Sequence, residues 1–301
     1  PSDKVPVPAC APSTGKKVAI IGGGPSGLTS AYFLQLMGHQ CTVFEEKKQL
    51  GGMLRYGIPN YRFPRERLQE DINAILSTGV DVKLNTTIGT EELKQIQQEY
   101  DAIYVAIGAH TDKKLGLEGE DSKNVISAVD MLREIGDGAY PDYTGKRVVV
   151  VGGGNVAMDA ARTAKRLGAK NVYIVYRRGP EEVPARAEEV HHAKEEGIIF
   201  KLLTNPVKIE GEDGWVKSME CVEMELGEPD ASGRRRPIAK EGSNFTIETG
   251  TVIVAIGQSP NPLIRHTTPG LDCQSWGGII VDEDSMKTSK DGVYAGGDVV
   301  T

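Results

Sequence analysis

The sequence predicts an α/β protein of two doubly wound, parallel-sheet domains, one inserted into the other, with a β-meander on the inserted domain. Three observations carry this expectation. A strand–glycine turn–helix–strand unit occurs twice along the 301 residues. Two further apolar runs, DAIYVAIG (101–108) and TVIVAIG (251–257), end in the same A-I-G tripeptide. A last run, VYAGGD (293–298), puts an acid after two glycines at a strand end.

The first unit is KKVAIIGGGPSGLTSAYFLQLMGHQCTVFEE, residues 16–46. Residues 18–21 form a short apolar run of the kind buried on both faces of a parallel sheet. Gly22, Gly24 and Gly27 make G-x-G-x-x-G, and Pro25 and Ser26 open the helix that follows. That helix runs to about residue 37, ends at Gly38, and gives way to a strand over 42–44 with Glu45 at its end. The second unit is KRVVVVGGGNVAMDAARTAKRLGAKNVYIVYRR, residues 146–178. Its strand is 148–151, its turn is Gly152, Gly154 and Ala157, and its second strand, 172–176, runs into Arg177 and Arg178. Ala157, Ala160, Ala161 and Ala164 share one helical face, small enough to pack closely on a sheet.

In such a turn the first glycine permits the tight bend, the second lets a pyrophosphate approach the backbone, and the third position must be small. The helix N-terminus then offers unpaired N–H groups and partial positive charge to the phosphates. A glycine-rich surface loop is the plain alternative, but here a strand precedes each turn and a helix and second strand follow it. The end of the second strand selects the nucleotide. A carboxylate there accepts bonds from the ribose hydroxyls and repels a 2′-phosphate, which makes Glu45, about 20 residues beyond the turn, suit FAD or NAD. The second unit has Tyr176-Arg177-Arg178 in that place, and arginine forks match phosphate geometry. This points to NADP(H), against the alternative of two solvated arginines. Asp298 stands where a carboxylate accepts a bond from a ribityl hydroxyl of a flavin.

Residues 200–245 read as the meander, and Arg234 to Arg236 within GEPDASGRRRP as an exposed loop rather than a nucleic-acid patch. The segments 16–108 and 258–301 form the expected FAD domain, residues 109–257 the NAD(P)H domain, and 1–15 an N-terminal extension. The A-I-G ends are read as the crossings between the two. Pro1 at the start, and Thr301 directly after a motif that feeds a helix, are expected of a piece of a longer polypeptide.

The net charge of −7 argues against nucleic acid or an anionic membrane as partner. No apolar run approaches the roughly 20 residues of a membrane span, and no secretory signal opens the chain. The four cysteines are far apart, with no C-x-x-C, which suits a reduced, cytoplasmic protein. The five histidines offer no metal pattern, and no metal site is expected. His191 and His192, adjacent on a helix, point different ways.

The stretches IGGGPSGL, GGMLRYGIPNYRFP, GGGNVAMDAARTAKRLGA, VYIVYRR, VIVAIGQSPNP and AGGD resemble the NADPH-dependent glutamate synthase small-subunit family. That group includes the flavin subunit of an NADH-dependent ferredoxin:NADP⁺ transhydrogenase and the flavin region of dihydropyrimidine dehydrogenase. The resemblance implies two Rossmann-like domains of the glutathione-reductase type. It implies that Gly51, Gly52, Met53 and Arg62 line FAD, with Ile88 near its adenine, beside Gly108 and Gly297. It further implies that Gly153, Gly154, Asn155, Val156, Arg177 and Arg178 hold NADP(H), with Arg186 a third phosphate contact and Ala255 to Gly257 near the nicotinamide. From the residues alone, Arg55, Tyr56 and Arg62 read equally as a charged loop stiffened by Pro59 and Pro64.

Relatives often carry a cysteine-rich, cluster-binding domain before the first strand. Only Cys10 precedes Lys16, so cluster ligation within these residues is not expected. The reading that follows is an oxidoreductase module in which NADPH exchanges a hydride with FAD and FAD exchanges electrons with an iron–sulfur subunit or domain. That partner would be glutamate-synthase-like or ferredoxin-linked. A flavin carries this chemistry, so no catalytic side chain is named. The alternatives are a non-catalytic nucleotide-binding subunit and a flavin-dependent disulfide reductase, the latter disfavoured by the missing C-x-x-C.

Overall fold

The computed structural model describes residues 7–229, 231, 233–261, 264 and 267–300. The chain divides into two compact units, residues 1–111 with 258–301, and residues 112–257.

The first unit begins with β1 (Lys17–Ile21), α1 (Pro25–Leu36), β2 (Gln40–Phe44), α2 (Met53–Tyr56), α3 (Arg65–Leu76), β3 (Asp81–Lys83), α4 (Thr90–Glu99) and β4 (Ala102–Val105). The short β5 (Thr111–Asp112) stands where the chain leaves it. The second unit holds β6 (Val125–Ser127), α5 (Ala128–Gly136), β7 (Arg147–Val151), α6 (Asn155–Arg166), β8 (Asn171–Tyr176), a 3₁₀ turn (Pro180–Glu182), α7 (Ala187–Glu195) and β9 (Ile199–Leu202). Then come β10 (Thr204–Glu212), β11 (Trp215–Pro229), β12 (Arg235–Ala239), β13 (Phe245–Glu248) and β14 (Thr251–Val254). The chain returns to the first unit with β15 (Gln258–Ser259) and β16 (Val293–Ala295).

Each unit is built on a five-stranded parallel sheet, ordered β16-β4-β1-β2-β3 in the first and β6-β14-β7-β8-β9 in the second. The registers correspond. Ile21 pairs with Phe44 and Val105, and Val151 pairs with Val175 and Val254. β1 and β7 are thus the strands from which the order runs one way to β2 or β8 and the other way to β4 or β14. A crevice opens at the carboxyl ends of strands at such a switch point.

Alternation on the strands divides the cores. In the first unit, Val18 and Ile20 pack with Leu28, Ala31, Leu68 and Ile72 on one face. Ala19 and Ile21 pack with Leu93, Ile96 and Val105 on the other. In the second unit, Val148 and Val150 meet the alanine face of α6, where Ala157, Ala160, Ala161 and Ala164 are fully buried. The opposite face, Val149, Val151 and Val254, is covered by Ile209, Met219, Cys221 and Ile247 of the antiparallel strands rather than by a helix. α6 is fastened to α7 by Arg162, whose guanidinium reaches Glu189 at 2.8 Å and Glu196 at 2.9 Å.

The meander differs from the expectation at both ends. Phe200 lies in β9, paired parallel to β8, so the antiparallel part begins at Thr204 and extends to Glu248. β11 is long enough to pair with β13 along its first half and β12 along its second. No described helix is long and apolar enough to cross a membrane. Among the described residues no group of three or more His, Cys, Asp or Glu is placed to hold a metal ion.

Candidate functional site

Both glycine turns are shaped by the strand that ends beside them. The Gly22 amide donates to the Phe44 carbonyl at 2.9 Å, and the Gly152 amide to that of Val175 at 3.0 Å. Each then turns with positive φ, 110° and 144°. A Cβ on Gly22 would stand 2.3 Å from the Ala106 carbonyl oxygen, and one on Gly152 would stand 2.2 Å from that of Ala255. These backbone carbonyls leave no room for a side chain at the first position of either turn, and in both units the A-I-G segment supplies them. Gly27 approaches closely too, since a Cβ there would lie 2.0 Å from the Gly22 carbonyl oxygen. Ala157 fills the equivalent place and is fully buried.

The helices that follow are unlike the others. α1 and α6 start at Gly24 and Gly154, which offer no capping side chain, and neither has an acid in its first turn. By contrast α5 is capped by the Ser127 hydroxyl, which accepts from the amides of Val129 and Asp130. α3, α4 and α7 carry Glu66, Glu91 with Glu92, and Glu188 with Glu189 in their first turns. The N–H groups of a first turn have no intrahelical acceptor. Among the described helices longer than one turn, α1 and α6 alone leave theirs and the positive dipole end without a local acid or cap. A Cβ on Gly154 would meet nothing within 4 Å, and one on Gly24 only the Gly52 Cα at 3.7 Å. Backbone N–H groups, open space and positive potential at a helix start are what a pyrophosphate needs, and both turns fit one.

At the first turn the structure gathers most of the predicted residues. The Gly51 amide donates to the Gly23 carbonyl at 2.8 Å, and a Cβ on Gly52 would lie 2.6 Å from Gly24 Cα. The GGM stretch thus rests on the turn, and Met53 opens α2 there. Gly297 packs on Ser26, and the Ser26 hydroxyl bonds that of Tyr104 at 2.9 Å. Gly108, with φ of 67°, follows the Ala106 contact, and Asp298 is exposed beside Gly297. Two residues belong to neighbouring segments: half-buried Arg62 in the turn after α2, and Ile88, packed against the cluster that contains Phe44. Arg55 and Tyr56 are buried in α2, not on a charged loop. The Arg55 guanidinium donates to the Leu50 carbonyl and to Gln49 and Gln69, and so locks the segment that carries Gly51 and Gly52.

Glu45 is buried at the end of β2. It accepts the Gly23 amide at 2.7 Å and the Lys47 amide at 2.8 Å. Burial lifts its carboxyl above the usual carboxylate range, with these two amides pulling the other way. Tyr176 holds the corresponding place in the second unit. Its ring covers Gly153, where a Cβ would lie 2.7 Å from it, and its hydroxyl donates to the Glu182 carbonyl at 2.8 Å. The middle glycine of each turn, which the motif leaves free, is therefore confined by its surroundings: a Cβ on Gly153 would meet the Tyr176 ring, and one on Gly23 would lie 2.5 Å from the Leu50 side chain and 3.0 Å from Glu45 Oε2. The shared G-G-G is the signal that sequence reasoning passed over.

The two arginines after Tyr176 part company. Arg177 is exposed. Arg178 is buried, and its Nε donates to the Arg235 carbonyl at 2.9 Å. Arg235 opens β12 and its guanidinium meets Glu182 at 2.6 Å and Glu181 at 3.1 Å, so this part of Arg234 to Arg236 is not a free loop. The segment from Ala185 lies against the glycine turn: the Ala185 amide donates to the Gly153 carbonyl at 3.1 Å and the Arg186 amide to Asn155 Oδ1 at 3.0 Å. Arg186 is exposed there, while Val156 packs into the core behind.

A sequence profile described as pyridine nucleotide-disulphide oxidoreductase matches residues 16–301. The chain belongs to the pyridine nucleotide-disulphide oxidoreductase family. It is 45% identical over 291 residues to the NADP(+)-dependent formate dehydrogenase subunit beta of Moorella thermoacetica, which covers 96% of this chain and 41% of that one. It is 43% identical over 314 residues to the NADPH-Fe(3+) oxidoreductase subunit beta of Geobacter sulfurreducens, covering 95% and 47%. It is 38% identical over 302 residues to the glutamate synthase [NADPH] small chain of Escherichia coli, covering 95% and 64%. The chain thus spans less than two thirds of each of these relatives.

Among solved structures, the fold is that of Mycobacterium tuberculosis FprA in complex with NADPH, with a TM-score of 0.80 at 21% identity over 96% of this chain and 79% of that one. Lactococcus lactis thioredoxin reductase gives 0.70 at 22% identity over 95% and 90%. The expected fold, two Rossmann-type nucleotide-binding domains, holds, and the expected class, a pyridine-nucleotide oxidoreductase, is that of the matched family. In this member of the pyridine nucleotide-disulphide oxidoreductase family Cys10, Cys41 and Cys221 are free, with Cys41 and Cys221 buried.

Proposed function

We propose that this chain is the FAD- and NADPH-binding module of a larger electron-transfer enzyme, moving reducing equivalents between NADPH and an iron–sulfur subunit or domain. The observation that carries the reading is the contrast at two corresponding strand ends. Buried Glu45 faces the first turn, whereas the second presents Tyr176 followed by exposed Arg177. A carboxylate suits a ribose with free hydroxyls, and guanidinium groups suit a 2′-phosphate. The first turn, with Gly22, Gly24, Pro25, Ser26 and Gly27, would hold the FAD pyrophosphate. Glu45 would take the ribose, and Gly52, Met53, Arg62, Ile88, Gly108, Gly297 and Asp298 would line the remainder. The second turn, Gly153 to Val156, would hold the pyrophosphate of NADP(H), with Ala255 and Gly257 beyond it.

Arg177 and Arg186 are the exposed guanidinium groups on segments beside the second turn, and they are the phosphate contacts in this reading. Arg178 serves as the tether that fixes the strand end, because its guanidinium is committed inward. The flavin, when bound, supplies the hydride and single-electron chemistry, and the protein contributes binding and orientation. The three relatives named above carry NADP(H) in their names, and each is a subunit or chain of a larger enzyme, which supports both the coenzyme and the partner. Four cysteines without a C-x-x-C pair suit a reduced cytoplasm and give no motif for disulfide reduction.

Parallel anaerobic titrations of the flavoprotein with NADPH and with NADH test this. NADPH is expected to bleach the flavin band at far lower concentration than NADH. Equal reduction by the two would remove the nucleotide assignment. Isolation of the subunits that co-purify would identify the partner.

A further inference from the structure

Glu182 is an unexpected group at a site meant for a phosphate. It is a carboxylate with 7% residual exposure, six residues along from Tyr176 in the segment that joins the strand end to Arg186. An acid near this position favours a ribose with free hydroxyls and works against a 2′-phosphate. Its charge is met from one direction. Glu182 Oε1 accepts from Arg235 Nε at 2.6 Å, and Oε2, also buried, has no hydrogen-bond partner. The same guanidinium takes Glu181 through Nη2 at 3.1 Å, and the Arg235 backbone carbonyl receives Arg178 Nε at 2.9 Å. Arg235 belongs to the meander, at the start of β12, and it links that hairpin to the strand end at two places.

We infer that Arg235 is a positioning residue for coenzyme selectivity: it neutralises Glu182 and Glu181 and holds the Tyr176–Glu182 segment so that the second turn presents positive rather than negative charge to the 2′-position of the adenosine ribose. The inference rests on the coenzyme reading above and adds a residue that touches no nucleotide in that reading. A buried carboxylate stripped of its partner remains an uncompensated charge in low dielectric, so loss of Arg235 leaves its field directed at whatever binds beside Arg177. A phosphate carrying close to two negative charges feels that field, and a ribose hydroxyl scarcely does.

The test compares wild type with Arg235→Ala, Arg235→Lys and Arg235→Ala/Glu182→Gln, measuring anaerobic flavin reduction by NADPH and by NADH at fixed ionic strength. Arg235→Ala should raise the NADPH concentration for half-maximal reduction by roughly tenfold, the scale of a lost charged contact, and leave that for NADH within about twofold. Arg235→Lys, which keeps the charge, should retain most of the preference, and the double variant should recover much of it because the stranded carboxylate is gone. Equal losses for both coenzymes, or no rescue in the double variant, would overturn the inference. Should Arg235→Ala not fold, the inference stands or falls on the double variant, which must prefer NADPH, and on Arg235→Lys. Failure of the coenzyme reading shows differently: wild type itself would then not discriminate.

Discussion

The Glu45 carboxylate accepts the Gly23 amide at 2.7 Å, which joins the end of β2 to the middle of the first glycine turn before any ligand is bound. In the proposed reading, the side chain assigned to the ribose is thereby set in place by the turn assigned to the pyrophosphate. This arrangement has an electrostatic cost, since the carboxylate is buried.

Two outcomes follow for Glu45→Gln. FAD affinity should fall by about 1.5–3 kcal/mol, the worth of a hydrogen bond to a charged group, as read by flavin retention on dilution. The pH dependence has a definite sign. A carboxyl whose folded value is raised by burial holds its proton in the native state at a pH where the unfolded chain has lost it. Glu45 therefore contributes stability at acid pH that is lost as pH rises from the ordinary carboxylate value through the raised one. Denaturant unfolding of the FAD-free protein across that window should show wild type losing ground with rising pH relative to Glu45→Gln. The opposite slope would contradict the burial argument.

Arg177→Ala and Arg178→Ala should separate binding from stability. Arg177 is exposed, and its loss should weaken NADPH by about 1.5–3 kcal/mol with FAD retained and thermal unfolding unchanged. Arg178 is buried on the Arg235 carbonyl, so its loss should lower stability by about 1–3 kcal/mol as well, by leaving that part-buried acceptor unmet. Isothermal titration beside denaturant unfolding distinguishes the two. Identical profiles would mean that the pair acts as one patch.

That division marks the limit of what the sequence shows. The two units are legible because each element reports itself locally: apolar runs of strand length, glycines where φ is positive, alanines on the sheet-facing side of a helix. Glu45 was legible for the same reason, at a fixed offset from its turn. Arg177 and Arg178 are chemically identical neighbours, and what turns one inward is a carbonyl 57 residues away on β12. Arg235 was equally hidden, because its acids lie 53 and 54 residues back. Phe200 reads as well for an antiparallel as for a parallel strand, and its pairing with Ile174 decides the matter.

The close approach at the third turn position predicts an asymmetry between the units. Gly27→Ala places a Cβ 2.0 Å from the Gly22 carbonyl oxygen, a backbone atom that cannot move without opening the turn. A loss of about 1–3 kcal/mol in stability is expected, the range for overpacking, accompanied by weaker FAD binding. Ala157→Gly removes a methyl that already fits and should cost only about 0.5–1 kcal/mol, with NADPH binding nearly intact. Chemical denaturation and flavin content together read both effects.

The cysteines offer a test of the two cores that needs no ligand. Thiolate is the reactive form, and an ordinary thiol near pH 8.5 supplies a useful fraction of it under mildly alkaline conditions. Burial raises Cys41 to about 11 and Cys221 to about 12, and both side chains are fully enclosed, one in each unit. Exposed Cys10 should therefore be alkylated first by iodoacetamide at about pH 8, with Cys273 slower. Cys41 and Cys221 should react only when their own unit opens. Peptide mass spectrometry along a urea series would then follow each unit separately. Cys221, on the meander strand β11 and packed with Val149 and Val151 of the sheet, would report the loss of the surface that carries Arg235. Labelling of Cys221 in the native protein would show that the meander leaves the sheet freely, in conflict with its place in the core.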